Sequence, residues 1–178
     1  MTPPRMQRLR VELPAVLSIG SNLGDREATI RAAIADIGRI DGVKVHAASS
    51  LVESAAVKLD GVDDSAPAYL NAVVTVRSAL APDELLDALN AIEHRHGRVR
   101  EERWGDRTLD IDIVDFGGLT VDSERLTLPH PRAAERSFVV VPWLELAPAA
   151  ALPGVGRIVD LPAARADDVR VYPAEPLL

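Results

Sequence analysis

The chain has 178 residues and a formal net charge of −7, and 47% of its residues are hydrophobic. A chain of this length usually forms one domain and buries a core without covalent cross-links, so we expect a single domain over residues 1–178. The absence of cysteine excludes disulfides, thiolate catalysis and iron–sulfur clusters, and favours a cytoplasmic protein. The acidic balance and the 3% aromatic content argue against nucleic-acid partners.

Strand and helix patterns alternate in the first part of the chain. A short apolar run predicts a strand over Pro14–Gly20, and apolar residues at helical spacing predict a helix over Asp25–Ile40. A second strand is expected over Val43–Glu53, followed by a surface loop over residues 56–68. The basic segment 1–12 is expected to be a flexible tail, because the apolar run behind it is too short for a signal peptide.

The next elements complete a recognisable order. Strict alternation predicts a strand over Tyr69–Arg77, and a proline followed by two acids predicts a helix over Ala81–Glu93. A polar loop over residues 95–107 leads into a strand over Thr108–Phe116. The order βαββαβ predicts an α+β fold, with a ferredoxin-like core, a mainly antiparallel sheet and helices packed on it.

The remaining 60 or so residues are expected to form a C-terminal extension of turns and short strands, with a short helix near Leu146. Pro142-Trp143-Leu144 is interpreted as core and the following Ala147-Pro148 as a turn, with no chemistry assigned. Residues 138–156 are the most apolar long stretch, but they contain Glu145 and several prolines. We therefore predict no membrane span.

Arginines are concentrated in one loop of an otherwise acidic chain. Five of the eighteen arginines fall within thirteen residues: Arg95, Arg98, Arg100, Arg103 and Arg107. The guanidinium group matches phosphate bidentately. The cluster therefore predicts a discrete anion site.

Two aspartates follow this loop directly. Asp110 and Asp112 are two residues apart on a predicted strand, so their carboxylates share one face while Leu109, Ile111 and Ile113 face the core. Mg²⁺ takes carboxylate oxygens and shares the phosphate oxygens of a substrate. Together with the arginines, the pair favours a magnesium–polyphosphate site; a solvated acidic edge strand is the alternative.

Several other polar and aromatic residues allow both a binding role and a structural role. Asn90 and Glu93 share a helix face next to the arginine loop, where they could bind a nucleotide or where Glu93 could pair at the surface with Arg98 or Arg100. Tyr69 and Asn71 share a strand face that suits a planar ring or simple half-burial. Trp104 could stack on a ring, and His130 could be an ordinary structural histidine.

Taken together, these segments resemble the 6-hydroxymethyl-7,8-dihydropterin pyrophosphokinase family of folate biosynthesis. The matching stretches are Gly20-Ser-Asn-Leu-Gly-Asp25, Tyr69-Leu-Asn-Ala72, Ile92-Glu93 with Gly97-Arg-Val-Arg100, Arg103-Trp-Gly-Asp-Arg-Thr-Leu-Asp-Ile-Asp112, Leu128-Pro-His-Pro-Arg132 and Arg136-Ser-Phe-Val139. They occur in the family's order over residues 15–150. One departure is Ser54-Ala55-Ala56, where the family often has Thr-Pro-Pro.

The resemblance implies a pyrophosphokinase that transfers pyrophosphate from ATP to the pterin hydroxymethyl group and releases AMP. It implies that Asp110 and Asp112 hold two Mg²⁺ ions and that Arg98 and Arg107 stabilise the developing charge. The implied ATP-site residues are Asn90, Glu93, Arg100, Ile113, Arg125, Leu126, Thr127 and His130. The implied pterin-site residues are Asn22, Ser54, Val57, Tyr69, Asn71, Trp104 and Phe138.

Two other functions stay open at this point. One is another Mg²⁺-dependent phosphotransferase that uses the same carboxylate pair, and the other is a non-catalytic nucleotide- or RNA-binding α+β module. The second would need exposed aromatics on a basic sheet face, which the net charge of −7 opposes. The small molecules ATP and 6-hydroxymethyl-7,8-dihydropterin are the expected partners; the sequence identifies no protein partner.

Overall fold

The computed structural model describes residues 11–58, 61–62, 65–97 and 108–178. Most of the predicted N-terminal tail therefore lies outside the described residues. The helices are α1 (Arg26–Gly38), α2 (Pro82–Arg95) and α3 (Ser137–Leu146). The strands are β1 (Leu13–Ser21), β2 (Val43–Ala48), β3 (Val52–Ser54), β4 (Val57–Lys58), β5 (Gly61–Val62), β6 (Tyr69–Ser78), β7 (Asp110–Phe116), β8 (Val121–Asp122), β9 (Thr127–Leu128), β10 (Ala151–Leu152), β11 (Gly156–Arg157) and β12 (Val169–Val171). Short 3₁₀ segments cover Ala133–Glu135, Ile158–Asp160 and Pro162–Arg165.

One antiparallel sheet organises the molecule. Strands β2 and β3 both pair with β6, which pairs with β1, and β1 pairs with β7 at the other side. The C-terminal strand β12 extends the sheet beyond β3. The predicted α+β fold with a βαββαβ core and a mainly antiparallel sheet is confirmed. No helix in the described ranges has the length and apolar character needed to cross a membrane.

The sheet separates two hydrophobic clusters. On one face, alternate β1 residues such as Leu17 and Ile19 pack with the apolar stripes of α1 and α2. The Asp25 side chain caps α1 by accepting a hydrogen bond from the backbone N–H of Ala28 at 3.1 Å. On the opposite face, Val16, Val73 and Val114 pack with α3 and the 3₁₀ segments of the C-terminal extension. The polar residues of the candidate site continue this second face along the same strands.

The predicted strand Val43–Glu53 is two strands, β2 and β3. The register of β2 against β6 shifts between Val45 and Ala47. Ser49 then makes two bonds to Val73: its N–H donates to the carbonyl oxygen and its Oγ accepts from the N–H, both at 2.9 Å. Because a side-chain oxygen substitutes for the backbone here, the ladder breaks before β3 begins.

One other expectation was wrong in detail. Part of the predicted loop 56–68 forms the short hairpin β4–β5, in which Gly61 of β5 has a φ of 112°. The helix predicted near Leu146 spans Ser137–Leu146 and continues through Pro142. Pro142 and Trp143 are buried and a turn follows at Pro148, so the interpretation of this segment as core followed by a turn is confirmed. Trp143 is buried in the second cluster, and this packing outweighs the backbone hydrogen bond that proline removes.

Candidate active site

A glycine separates an amide from a carboxylate across three neighbouring strands. Gly20 of β1 is in register with Asn71 of β6 on one side and with Asp110 of β7 on the other. A Cβ placed on Gly20 would lie 2.7 Å from Asn71 Oδ1 and 3.7 Å from Tyr69 Cδ1. The missing side chain therefore leaves room for the Asn71 amide, and β1 places no side chain between Asn71 and Asp110 in this row.

The β6 side of this row gathers several of the predicted pterin residues. Asn71 is only 3% exposed, and its Nδ2 donates to Ser54 Oγ at 3.0 Å. Ser54 is in register with Tyr69, whose side chain is on the same face of β6 as Asn71. Asn22 is buried after β1 and donates to the carbonyl of Pro67 at 3.4 Å. The structure thus brings Ser54, Tyr69 and Asn71 into one group, with Asn22 beside the segment that leads into β6.

The β7 side carries the two aspartates. Asp110 and Asp112 are partly exposed and share the face opposite the buried Ile111 and Ile113, as the alternation predicted. Ser18 of β1 is opposite Asp112 in the ladder. The pair therefore continues the row of Gly20 along the open face of the sheet.

A cation and an imidazole lie against Asp112. Arg136 Nη1 is 3.4 Å from Asp112 Oδ2, and His130 Nε2 is 3.6 Å from the same oxygen. Burial, with the charge of Arg136, lowers the pKa of His130 to about 4, so the imidazole is neutral at pH 7. The Arg136 guanidinium also lies over the Phe138 ring, with Cζ 5.6 Å from its centroid. Arg136 therefore links the predicted pterin residue Phe138 to the carboxylate pair.

Glu93 holds the backbone between the two aspartates. It is 1% exposed, and its Oε1 accepts a hydrogen bond from the N–H of Ile111 at 2.7 Å. The alternative of a surface carboxylate is therefore wrong. Asn90 lies one turn earlier on α2 and is half-buried. Because Ile111 separates Asp110 from Asp112, the bond from Glu93 fixes the strand at the point where both carboxylates project.

The other predicted ATP-site residues occupy different surroundings. Arg125 forms an exposed ion pair with Asp87 of α2. Leu126 is buried in the helix-side cluster, while Thr127 is exposed in β9. Ile113 is also buried in that cluster, so it presents its backbone rather than its side chain to the open face. The structure does not bring Arg125 into contact with Asp110 or Asp112.

Some of the predicted residues lie outside the described residues. These are Arg98, Arg100, Trp104 and Arg107. For Val57 only its place as the first residue of β4 is given.

Sequence reasoning missed two residues of the site as functional candidates. Arg136 occupies the N-cap of α3, where the helix dipole disfavours a cation, and this mismatch was the available signal. Gly20 continues an apolar strand pattern, and a glycine at such a position often marks a close approach. Both signals depend on knowing where the elements begin and end.

The donor set fits a magnesium ion that is shared with a substrate. Among the described residues, no group of three or more His, Cys, Asp or Glu side chains could hold a metal. The described part of the chain offers two carboxylates here, so phosphate oxygens or water would have to complete an octahedral shell around Mg²⁺. That division of ligands is typical of Mg²⁺ bound to a nucleotide.

Comparison with known proteins agrees with this arrangement. Residues 16–148 match the model of the family described as 7,8-dihydro-6-hydroxymethylpterin-pyrophosphokinase (HPPK). A relative from Synechocystis, called 2-amino-4-hydroxy-6-hydroxymethyldihydropteridine pyrophosphokinase, is 38% identical over 162 residues, which cover 91% of this chain and 80% of the relative. A protein of the same name from Haemophilus influenzae is 39% identical, with 84% of this chain and 91% of the relative covered.

Solved structures confirm the fold. The wild-type HPPK-DHPS protein of Plasmodium falciparum, crystallised with pterin and p-hydroxybenzoate, superposes with a TM-score of 0.65 at 14% identity. The match covers 84% of this chain and 42% of that protein, so the chain spans less than half of the longer polypeptide. A triple mutant of the same protein gives the same TM-score at 15% identity, covering 85% of this chain and 44% of that protein.

Proposed function

The chain belongs to the 7,8-dihydro-6-hydroxymethylpterin-pyrophosphokinase family, and we propose that it transfers pyrophosphate from ATP to 6-hydroxymethyl-7,8-dihydropterin. The hydroxymethyl oxygen forms a bond to the β-phosphorus of ATP, and the bond from that phosphorus to the oxygen bridging the α-phosphate breaks. The hydroxyl proton leaves, and AMP and the pterin diphosphate are the products. This reaction is a step of folate biosynthesis.

Asp110 and Asp112 are the residues that would hold two Mg²⁺ ions. When bound, the ions neutralise the phosphate charge and orient the polyphosphate. Glu93 keeps the two carboxylates projecting from one stretch of strand through its bond to the Ile111 N–H. Arg136 lies close enough to Asp112 to supply positive charge at the same place.

The group formed by Ser54, Tyr69 and Asn71 is the proposed pterin side. A pterin is a flat ring with an edge of donors and acceptors, so it suits an aromatic side chain next to a buried amide and a hydroxyl. Asn71 and Ser54 are bonded to one another, which fixes the amide before the ring arrives. Asn22, Val57, Trp104 and Phe138 complete the proposed set.

Arg98 and Arg107 are the proposed catalytic residues for the charge that develops during transfer. Their support is the density of arginine between residues 95 and 107, directly before Asp110. Guanidinium groups at such positions stabilise phosphoryl-transfer transition states strongly. Asn90, Arg100, Ile113, Arg125, Leu126, Thr127 and His130 complete the proposed ATP side.

The single observation that carries the proposal is the row Asn71, Gly20, Asp110. The amide proposed to bind the ring is on β6, and the carboxylate proposed to bind the metal is on β7. Both strands pair with β1, and the β1 residue between the two groups is a glycine, which has no side chain. In this arrangement a hydroxymethyl group on the edge of a ring bound at Asn71 would be within reach of a polyphosphate held by the aspartates. Proximity of this kind removes much of the entropic barrier to transfer.

The test is formation of AMP from ATP by the purified chain. The account predicts AMP only when Mg²⁺ and 6-hydroxymethyl-7,8-dihydropterin are both present, with one AMP for each pterin diphosphate. ADP as the product would indicate another phosphotransferase, and nucleotide binding without turnover would indicate a binding module. Either result would refute the proposal.

A further inference from the structure

An arginine next to the candidate site makes contacts that the proposed chemistry does not use. Arg26 is the first residue of α1, where the helix dipole disfavours a cation. Its Nη1 donates to the carbonyl oxygen of Ala68 at 2.6 Å and to Glu53 Oε2 at 2.9 Å. The side chain is 24% exposed, so both bonds are partly shielded from water.

The two acceptors directly precede two residues of the pterin side. Glu53 is followed by Ser54 and Ala68 by Tyr69, and Ser54 and Tyr69 are partners in the ladder between β3 and β6. Arg26 therefore joins the two strands at the point where the ring-binding residues begin. The position of Ser54 also sets the position of the Asn71 amide, which is hydrogen-bonded to Ser54 Oγ.

The segment that follows the C-terminal strand β12 contacts Arg26 from the other side. Strand β12 pairs with β3, and the N–H of Tyr172 donates to the carbonyl of Leu51 at 2.8 Å. The Tyr172 ring then lies against Arg26, with Cζ 5.9 Å from the ring centroid. The guanidinium is thus placed by a segment that follows the family match at residues 16–148.

Open space beside Arg26 makes its bonds more important. A cavity of about 430 Å³ is lined by the loop after β1, by Arg26 and Glu53, and by Pro67 and Ala68. This pocket is open to the surface, so the bond from Arg26 is one of the contacts that hold Ala68 beside it. Loss of the bond would leave the start of β6 less firmly held.

We propose that Arg26 is a positioning residue for the pterin side. This inference rests on the proposed function. It does not touch the reacting atoms. It fixes the spacing between Ser54 and Tyr69, so that the ring finds a preformed amide, hydroxyl and aromatic surface. Without it, the pterin must order these groups as it binds, which weakens its affinity.

The experiment compares steady-state kinetics of Arg26→Met, Arg26→Lys and wild type, with AMP as the readout. Methionine keeps an unbranched stem against Tyr172 and removes the donor. Loss of a charged hydrogen bond at the strand start raises the KM for the pterin about tenfold in Arg26→Met, while kcat and the KM for ATP stay within about twofold. Arg26→Lys restores most of the affinity, because an ammonium group can donate to both oxygens.

Arg39→Met is the matched control. Arg39 is the C-cap residue of the same helix, at the opposite end from Arg26, and it pairs with Asp36 at 3.0 Å while its side chain is 76% exposed. Its kinetic constants should equal those of the wild type.

A lowered Tm with an unchanged pterin KM in Arg26→Met would overturn the proposal, because it would make the role merely structural. If Arg26→Met does not fold, Glu53→Gln replaces it. That variant weakens one of the two bonds and should raise the pterin KM about threefold; an unchanged KM overturns the proposal. A wild-type protein that forms no AMP refutes the proposed function itself.

Discussion

Gly20→Ala tests whether the site requires the absence of a side chain between Asn71 and Asp110. The new Cβ would lie 2.7 Å from Asn71 Oδ1, closer than unbonded atoms tolerate, so the amide must move. That amide is 3% exposed and bonded to Ser54, so its displacement leaves buried polar groups unpaired. The cost of such a loss is about 2 kcal/mol.

This cost should appear mainly in pterin binding. About 2 kcal/mol corresponds to about a 30-fold fall in kcat/KM for the pterin. The KM for ATP should change little, because the three atoms nearest to the new Cβ belong to Asn71 and Tyr69 of β6 and not to Asp110 of β7. The assay is AMP formation at varied pterin and saturating ATP.

Gly38→Ala is the matched glycine control. A Cβ at Gly38 would meet Val45 Cγ2 at 3.7 Å, an ordinary contact, at the end of α1. It should leave the kinetics unchanged and stabilise the fold by up to about 1 kcal/mol. Adding Gly20→Ala to an Asn71→Ala background should cost little more, since the clash is already removed. A Gly20→Ala enzyme within threefold of wild type would refute the reasoning.

Predictions at three further positions, Glu93, Arg107 and Asp115, complete the set. Glu93→Ala should lower the free energy of unfolding by about 2 kcal/mol and raise the KM for Mg·ATP, whereas Glu93→Gln keeps the acceptor for Ile111 and should cause clearly smaller changes in both; urea unfolding and kinetics of both variants check this, and equal effects of the two variants would contradict it. Arg107→Ala should lower kcat by about 10³-fold with little change in ATP affinity, and single-turnover rates with calorimetric ATP binding decide it. Burial raises the pKa of Asp115, so its charged form destabilises the folded state at pH 7. Asp115→Asn should therefore be more stable than wild type at pH 7, and urea titrations should show this difference shrinking as the pH falls through the raised pKa; a constant difference would contradict it.

The order and type of the main elements followed from local pattern. Alternation marked β6 and β7, and apolar spacing marked α1 and α2, because each of these elements buries one face against the core. The break between β2 and β3 depends on Ser49 bonding to Val73, a contact 24 residues away. Local pattern carries no information about such a partner, and the same holds for a helix that continues through Pro142.

The candidate site likewise contains some features that follow from local pattern and others that depend on residues distant in sequence. The shared face of Asp110 and Asp112 followed from strand geometry alone. The burial of Glu93 did not, because its partner is a backbone N–H on a strand 18 residues later. Arg26 was equally hidden, since its role depends on β3, β6 and β12 meeting at one point. Residue spacing predicts which residues share a face of one element, whereas strand pairing decides which elements become neighbours.

The most direct test of the account is a crystal structure of the chain with Mn²⁺ and an ATP analogue that has a methylene group between the α- and β-phosphorus atoms. Manganese replaces magnesium and gives an anomalous signal that locates each ion directly. The account predicts two ions bound by Asp110 and Asp112 and by phosphate oxygens, on the open face of β7 next to Gly20. Ions bound to the phosphates without either carboxylate, or a nucleotide on another face of the sheet, would contradict it.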